Sequence, residues 1–171
     1  MPRAIRIGGG PILHAGLCPS LGDNLNGATL VKAPPALAAP APWLLYFAHH
    51  KGDHIRLALA ERAEGPWRIH AGGAIRLAET PFAQTRPAVP QPDWAVAAGT
   101  DGLYPHIASP EVVVGEDGAL TMYLHGLMRD GTQASIAARS GDGLTWRIGR
   151  RIVARDTYLR VFDRGGVRHA I

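Results

Sequence analysis

The sequence predicts an all-β fold, a partial β-propeller built of four-stranded antiparallel blades. Three observations carry this. First, 21 glycines and 14 prolines in 171 residues demand many turns and leave little room for long helices. Second, apolar runs of strand length, several of them aromatic or β-branched, alternate with turn signals along the whole chain. Third, the same order of strands and turns occurs twice and ends each time on Trp-Arg-Ile, in "PWRI" (66–69) and "TWRI" (145–148). A repeated unit of this length made of four strands is the signature of a propeller blade.

Blade one spans 26–70. "NGATLVK" (26–32) is a short extended run, and "WLLYFAHH" (43–50) is apolar enough for a buried central strand. In "HIRLALAERA" (54–63), Ile55, Leu57 and Leu59 alternate with Arg56, Ala58 and Ala60. The composition of that run also suits a helix, but its closeness to the turn "KGD" favours a hairpin. "GPWRIH" (65–70) closes the unit as an edge strand. Residues 71–108, rich in proline and alanine, read as a long inter-blade loop, a kind of segment that usually serves function or motion. Blade two spans 109–149, with strands in "PEVVVGE" (110–116), "LTMYLHG" (120–126), "QASIAARS" (133–140) and "LTWRIG" (144–149). Tyr46 of the first unit matches Tyr123 of the second. A third unit starts at 158–171, with "YLRVFDR", the turn "RGG" and "VRHAI". The whole of 1–171 is then one incomplete propeller domain. Two blades and part of a third do not close a ring of about four to eight. Either the chain is a fragment of a longer protein, which is the simpler reading, or it self-associates through its unpaired last strand.

Composition removes several function classes. Charged residues are 19% and hydrophobic residues 46%, a globular balance. The net charge of +4 is spread along the chain, and the one close group, Arg147, Arg150 and Arg151, reads as a solvated face, so no nucleic-acid partner is expected. Cys18 is the single cysteine, which excludes an intrachain disulfide and a multi-cysteine zinc site. Charge and glycine interrupt the first twenty residues, so neither a signal peptide nor a membrane span is expected, and the default location is cytoplasmic.

Because successive strands of a blade reverse direction, the start of the first strand, the end of the second and the start of the third share one rim. That rim collects Asn24, Asn26, His49, His50, Lys51, Asp53 and His54 from unit one. Unit two adds His106, Ser109, Glu111 and His125, and unit three adds Tyr158 and Arg160. The opposite rim collects turn residues such as Glu61, Arg62, Asp117 and Gly118. Each candidate also has a plainer reading. His49 and His50 suit a hairpin with locally satisfied hydrogen bonds, Glu111 a solvated strand position, and Asp53 an ordinary turn. Arg160 lies in an apolar run, where a guanidinium needs a carboxylate or an anionic ligand. No HxH or HExxH spacing supports a metal, and no cofactor is expected.

"NGATLV", "LLYFAHHKGDHIRLALAERAEGPW", "HIASPEVVV" and "MYLHG" together resemble the five-bladed β-propeller glycoside hydrolases, the family 43 type and its relatives. The resemblance covers about 24–70 and 104–162 and does not specify a substrate. It implies hydrolysis of glycosidic bonds with inversion, using one carboxylate as general base, one as general acid and a third to tune the acid. Glu111 falls at the tuning position. The base position, where the family has Asp-Pro, offers Asn26 or Gly27, with Asp23 nearby but out of register. Arg160 stands near the position of the acid. Asparagine takes no proton from water and arginine stays protonated, so the family's three-carboxylate mechanism does not carry over as it stands; the catalytic candidates are Glu111 and Asp23. Asn26, His49, His50, His106, His125 and Arg160 would read sugar hydroxyls, and Trp43 or Tyr104 would offer a stacking face. The expected partner is a carbohydrate. The alternative is a non-catalytic carbohydrate-binding or interaction propeller, or an inactive fragment.

Overall fold

The computed structural model describes residues 10–171. The strands are β1 (Leu25–Lys32), β2 (Trp43–His49), β3 (His54–Ala60), β4 (Arg68–Arg76), β5 (Ile107–Val114), β6 (Leu120–Leu127), β7 (Gln133–Ser140), β8 (Arg147–Ala154), β9 (Val161–Arg164) and β10 (Val167–Ala170). β1 to β4 form one antiparallel sheet and β5 to β8 a second, each in sequence order, while β9 and β10 form a separate hairpin. The all-β expectation of four-stranded antiparallel blades is met. A five-residue helix α1 (Asp93–Ala97) lies between the sheets in sequence. Among the described residues no helix is long and apolar enough to cross a membrane.

Side-chain alternation explains how the sheets stack. Leu44, Tyr46 and Ala48 of β2 face one way, with Ile55, Leu57 and Leu59 of β3, into a core shared with Val112, Leu120, Met122 and Leu124 of the second sheet. Leu45 and Phe47 of β2 face the other way, with Ala58 and Ala60, against Leu21 and Trp67. The first sheet is thus covered on both faces, which is why β2 reads as a continuous apolar run. Each fully buried leucine, isoleucine or phenylalanine contributes about 1.5–3 kcal/mol relative to an exposed one. Tyr46 ties the sheets further: its Oη donates to the Gly143 carbonyl at 2.7 Å, and its ring meets Trp146 edge-on at 5.5 Å.

The helical option for 54–63 loses because Ile55 and Leu57 can reach the inter-sheet core only from an extended backbone. β4 continues past His70 to Arg76, well into the stretch that reads as loop in sequence. Gly72 and Gly73, the latter at φ 66°, absorb a register shift, after which Ile75 pairs with Ile55 and Arg76 with His54. In the β9–β10 hairpin only Val161 is buried.

The innermost strands β1 and β5 each carry a bulge, between Asn26 and Thr29 and between Ala108 and Glu111. Gly27 adopts φ 59° and Ser109 φ 50°. The two bulges touch: a Cβ on Gly27 would lie 2.6 Å from the Ser109 Cα. Glycine at 27 is therefore required both by the backbone angle and by the close approach.

Candidate functional site

The bulges set a repeated geometry. Gly27, Ser109 and Tyr158, at φ 59°, 50° and 57°, each precede by two positions a side chain at the junction of the three units: Thr29, Glu111 and Arg160. Thr29 pairs with Tyr46 and Glu111 with Tyr123, so these two positions are structurally equivalent. Thr29 Oγ1 donates to Glu111 Oε2 at 3.2 Å and to the Pro110 carbonyl at 2.6 Å. Arg160 Nη1 pairs with Glu111 Oε2 at 3.3 Å, and the Val161 amide donates to Oε1 at 3.4 Å. Glu111 is mostly buried, at 16% exposure of its side chain, and is the group that all three units share.

Beside this junction lies a pocket of about 260 Å³. His50 and Lys51 from the β2–β3 turn line it, together with Tyr104, His106, His125 and Tyr158. Trp94 of α1, Asp101 and Gln133 border it. Ala108 and Tyr158 also line it, which joins the pocket to the Glu111 cluster along both chain segments. The rings form a chain of contacts: Tyr104 and His106 at 4.7 Å, His106 and His125 at 5.6 Å, His125 and Tyr158 at 4.9 Å. Lys51 Nζ sits 4.7 Å from the Tyr104 ring centroid.

His106 and His125 are both 3% exposed. Burial lowers the pKa of His106. Burial, with His106 as neighbour, pulls His125 down to about 4. Both are neutral imidazoles at neutral pH. His106 Nδ1 lies 2.9 Å from the Tyr104 carbonyl, an acceptor only, so Nδ1 carries the proton and Nε2 keeps its lone pair. Among the described residues, His125 Nδ1 is buried with no hydrogen-bond partner, as are Asn26 Oδ1 and Ser109 Oγ. Unpaired buried polar atoms are costly, and of these three residues His125 lines the pocket. The non-glycine residues with positive φ among the described residues are Lys51, Ser109 and Tyr158, at or beside this pocket. Such conformations cost roughly 1–3 kcal/mol each and concentrate at functional places.

The structure brings together His50, His106 and His125 in the pocket, and Glu111 with Arg160 beside it. His49 points away, with Leu45 and Phe47. Its ring lies under Gly22, where a Cβ would meet Nε2 at 3.2 Å, and its Nδ1 donates to the His50 carbonyl at 2.7 Å. β2 ends at His49, so His49 keeps the strand face of Leu45 and Phe47 while His50 enters the turn. In register, the blade-one counterpart of His125 is Ala48, since His125 pairs with Ala108 and Ala48 with Asn26. Asn26 is thus equivalent to Ala108, and the residue that reaches Glu111 from blade one is Thr29. Asp23 is exposed ahead of β1 and makes none of the hydrogen bonds or ion pairs found among the described residues. Of the two proposed stacking faces, Tyr104 lines the pocket, whereas Trp43 packs at the other end of β2, against Lys32. Sequence reasoning missed Thr29. Its signal is the polar residue before each apolar pair, in "TLV", "EVV" and "RVF". No group of three His, Cys, Asp or Glu among the described residues is disposed to hold a metal.

The fold, two four-stranded antiparallel sheets packed on one core, is that of a partial propeller. No family model matches the chain. It is 24% identical over 163 residues to an uncharacterized protein of Acanthamoeba polyphaga mimivirus, covering 84% of this chain and 43% of that one. Among solved structures, an endo-arabinase from Bacteroides thetaiotaomicron aligns with a TM-score of 0.57 and 14% identity, over 85% of this chain and 50% of the enzyme. An α-L-arabinofuranosidase from Clostridium thermocellum aligns with a TM-score of only 0.31 and 12% identity, over 75% of this chain and 56% of that one. The chain therefore spans half or less of the length of the mimivirus relative and of the endo-arabinase, and shares its fold with the latter.

Proposed function

We propose that this chain is glycoside hydrolase-like and binds a carbohydrate in the pocket beside Glu111. The observation that carries the reading is the pocket wall itself. Tyr104, Tyr158 and Trp94 offer aromatic faces, and His125 Nδ1 is a buried polar atom without a partner among the described residues. Sugars need both: apolar C–H faces to stack and polar atoms to meet their hydroxyls. The fold shared with an endo-arabinase agrees with it. Saturation-transfer NMR on the full chain, with a panel of neutral and acidic oligosaccharides, tests it. The expected result is saturable binding that Tyr104→Ala weakens. Binding that ignores Tyr104→Ala removes the pocket from the reading.

Glu111 favours a second, catalytic reading, because it is a carboxylate enclosed at the junction of three units. Its Oε2 is engaged by Thr29 and Arg160, and a two-carboxylate hydrolysis would need a second acid or base from elsewhere. A screen of aryl glycosides separates the readings. Turnover abolished by Glu111→Gln supports catalysis, and binding without turnover leaves the pocket as a recognition site.

A further inference from the structure

Resting on the carbohydrate reading, we infer that the sugar taken by this pocket carries a single negative charge, as a uronic acid does. The inference starts from Lys51. Its ammonium lines the pocket over the Tyr104 ring, and among the described residues it makes no ion pair with a carboxylate. The turn holds it there with φ 67°, a conformation that lysine adopts only at a cost.

The one carboxylate that borders the pocket does not balance this charge. Asp101 takes Arg86 Nη1 at 2.5 Å on both oxygens, and its Oδ1 also accepts from Gln91 Nε2 at 2.9 Å and from the Leu103 amide at 2.9 Å. Arg86 has already neutralised it. The remaining polar wall adds no fixed charge. His106 and His125 are neutral at neutral pH, and Gln133 and Thr157 supply uncharged donors and acceptors. The pocket thus offers one permanent cation, several neutral hydrogen-bonding atoms and aromatic faces.

A sugar ring with one carboxylate matches that inventory term by term. The ring stacks on Tyr104 or Tyr158, its hydroxyls meet the imidazoles, and its carboxylate meets Lys51. Lys51 is exposed, so a neutral sugar leaves its ammonium to water and the Tyr104 ring, whereas a carboxylate adds a charge pair. A phosphate monoester, with up to two charges, would find one cation where such groups usually engage several donors.

Calorimetric titration of the full chain tests this, with glucuronate against glucose, galacturonate against galactose, and with glucose 6-phosphate and acetate as further probes. Each uronate should bind roughly fivefold tighter than its neutral counterpart, the size of a partly exposed charge pair. Lys51→Gly should remove the preference and Lys51→Arg should keep it. Glycine suits φ 67°, so that variant keeps the turn, which circular dichroism and a melting curve verify. Equal affinity for acid and neutral sugar, or a preference that survives Lys51→Gly, overturns the inference while the carbohydrate reading stands. Tighter binding of glucose 6-phosphate than of glucuronate overturns the single charge. Acetate binding as tightly as the uronates, unaffected by Tyr104→Ala, overturns the sugar itself. Binding of no sugar of either kind overturns both readings.

Discussion

At the scale of single residues, the two buried histidines make stability depend on acid. In the folded chain His125 stays neutral down to a pKa of about 4, whereas its ordinary value is 6.5. The unfolded chain therefore takes up a proton that the folded chain refuses. The stability this provides is fully present above pH 6.5 and is lost as pH falls from 6.5 to about 4. At about 1.4 kcal/mol per pH unit, the loss reaches about 3 kcal/mol for His125, with a further share in the same direction from His106. The charged or titratable groups that share the pocket with them are each other, His50, Lys51, Asp101, Tyr104 and Tyr158. Urea midpoints measured between pH 7 and pH 4 should fall more steeply for the wild type than for His125→Gln. Equal slopes would place the acid sensitivity elsewhere. Carboxylates also protonate in this range, so the difference between the two proteins is the informative quantity.

At the scale of elements, the paired bulges of β1 and β5 are the feature that aims the junction. Gly27→Ala would put a Cβ 2.6 Å from a backbone atom and at φ 59°. The two strands must then separate or the bulge must change its angles, at a cost of roughly 1–3 kcal/mol or more. Thermal unfolding should show this loss, and Ala28→Gly, which alters an exposed neighbour, should show much less. Much of this level is legible in sequence. Tyr46 with Tyr123 recurs at the same register of the two sheets, and Trp67 with Trp146 just ahead of β4 and β8, although Tyr123 lies outside the buried core. Other parts are not legible. The continuation of β4 depends on a bulge at Gly72–Gly73, and glycine in sequence reads equally well as a strand end. The split between His49 and His50 depends on where β2 stops, and boundaries are the least certain part of a strand pattern.

At the scale of the whole molecule, the three units differ in how firmly they are held. The two sheets share one core, whereas the β9–β10 hairpin is exposed except at Val161. Within it, Arg160 and Ile171 exchange backbone bonds and Arg168 pairs with Asp163, while Glu111 ties it to the second sheet through the Val161 amide and Arg160. A lone two-stranded hairpin is marginal in water. Amides of Val161–Arg164 and Val167–Ala170 should therefore exchange with deuterium well before those of β2 and β6, at a free energy far below that of global opening. Protection of the hairpin equal to that of β6 would contradict the difference. Glu111→Gln should speed hairpin exchange further, because it weakens the hold of blade two on Arg160. The site was only partly legible at this scale. Glu111 and Arg160 stand out as charges inside apolar runs, but their meeting depends on how the units pack, and no local pattern encodes that.

The meeting of Thr29, Glu111 and Arg160 also limits how alike the repeated units can remain. Three glutamates at one junction would repel one another, and so would three arginines. A hydroxyl, an anion and a cation at the same place in three otherwise similar units form a complementary set. Internal likeness is therefore poorest where the units touch at the centre, and richest in the tyrosine and tryptophan positions further out. Where strands of like register meet, each has to carry a side chain that its neighbours do not.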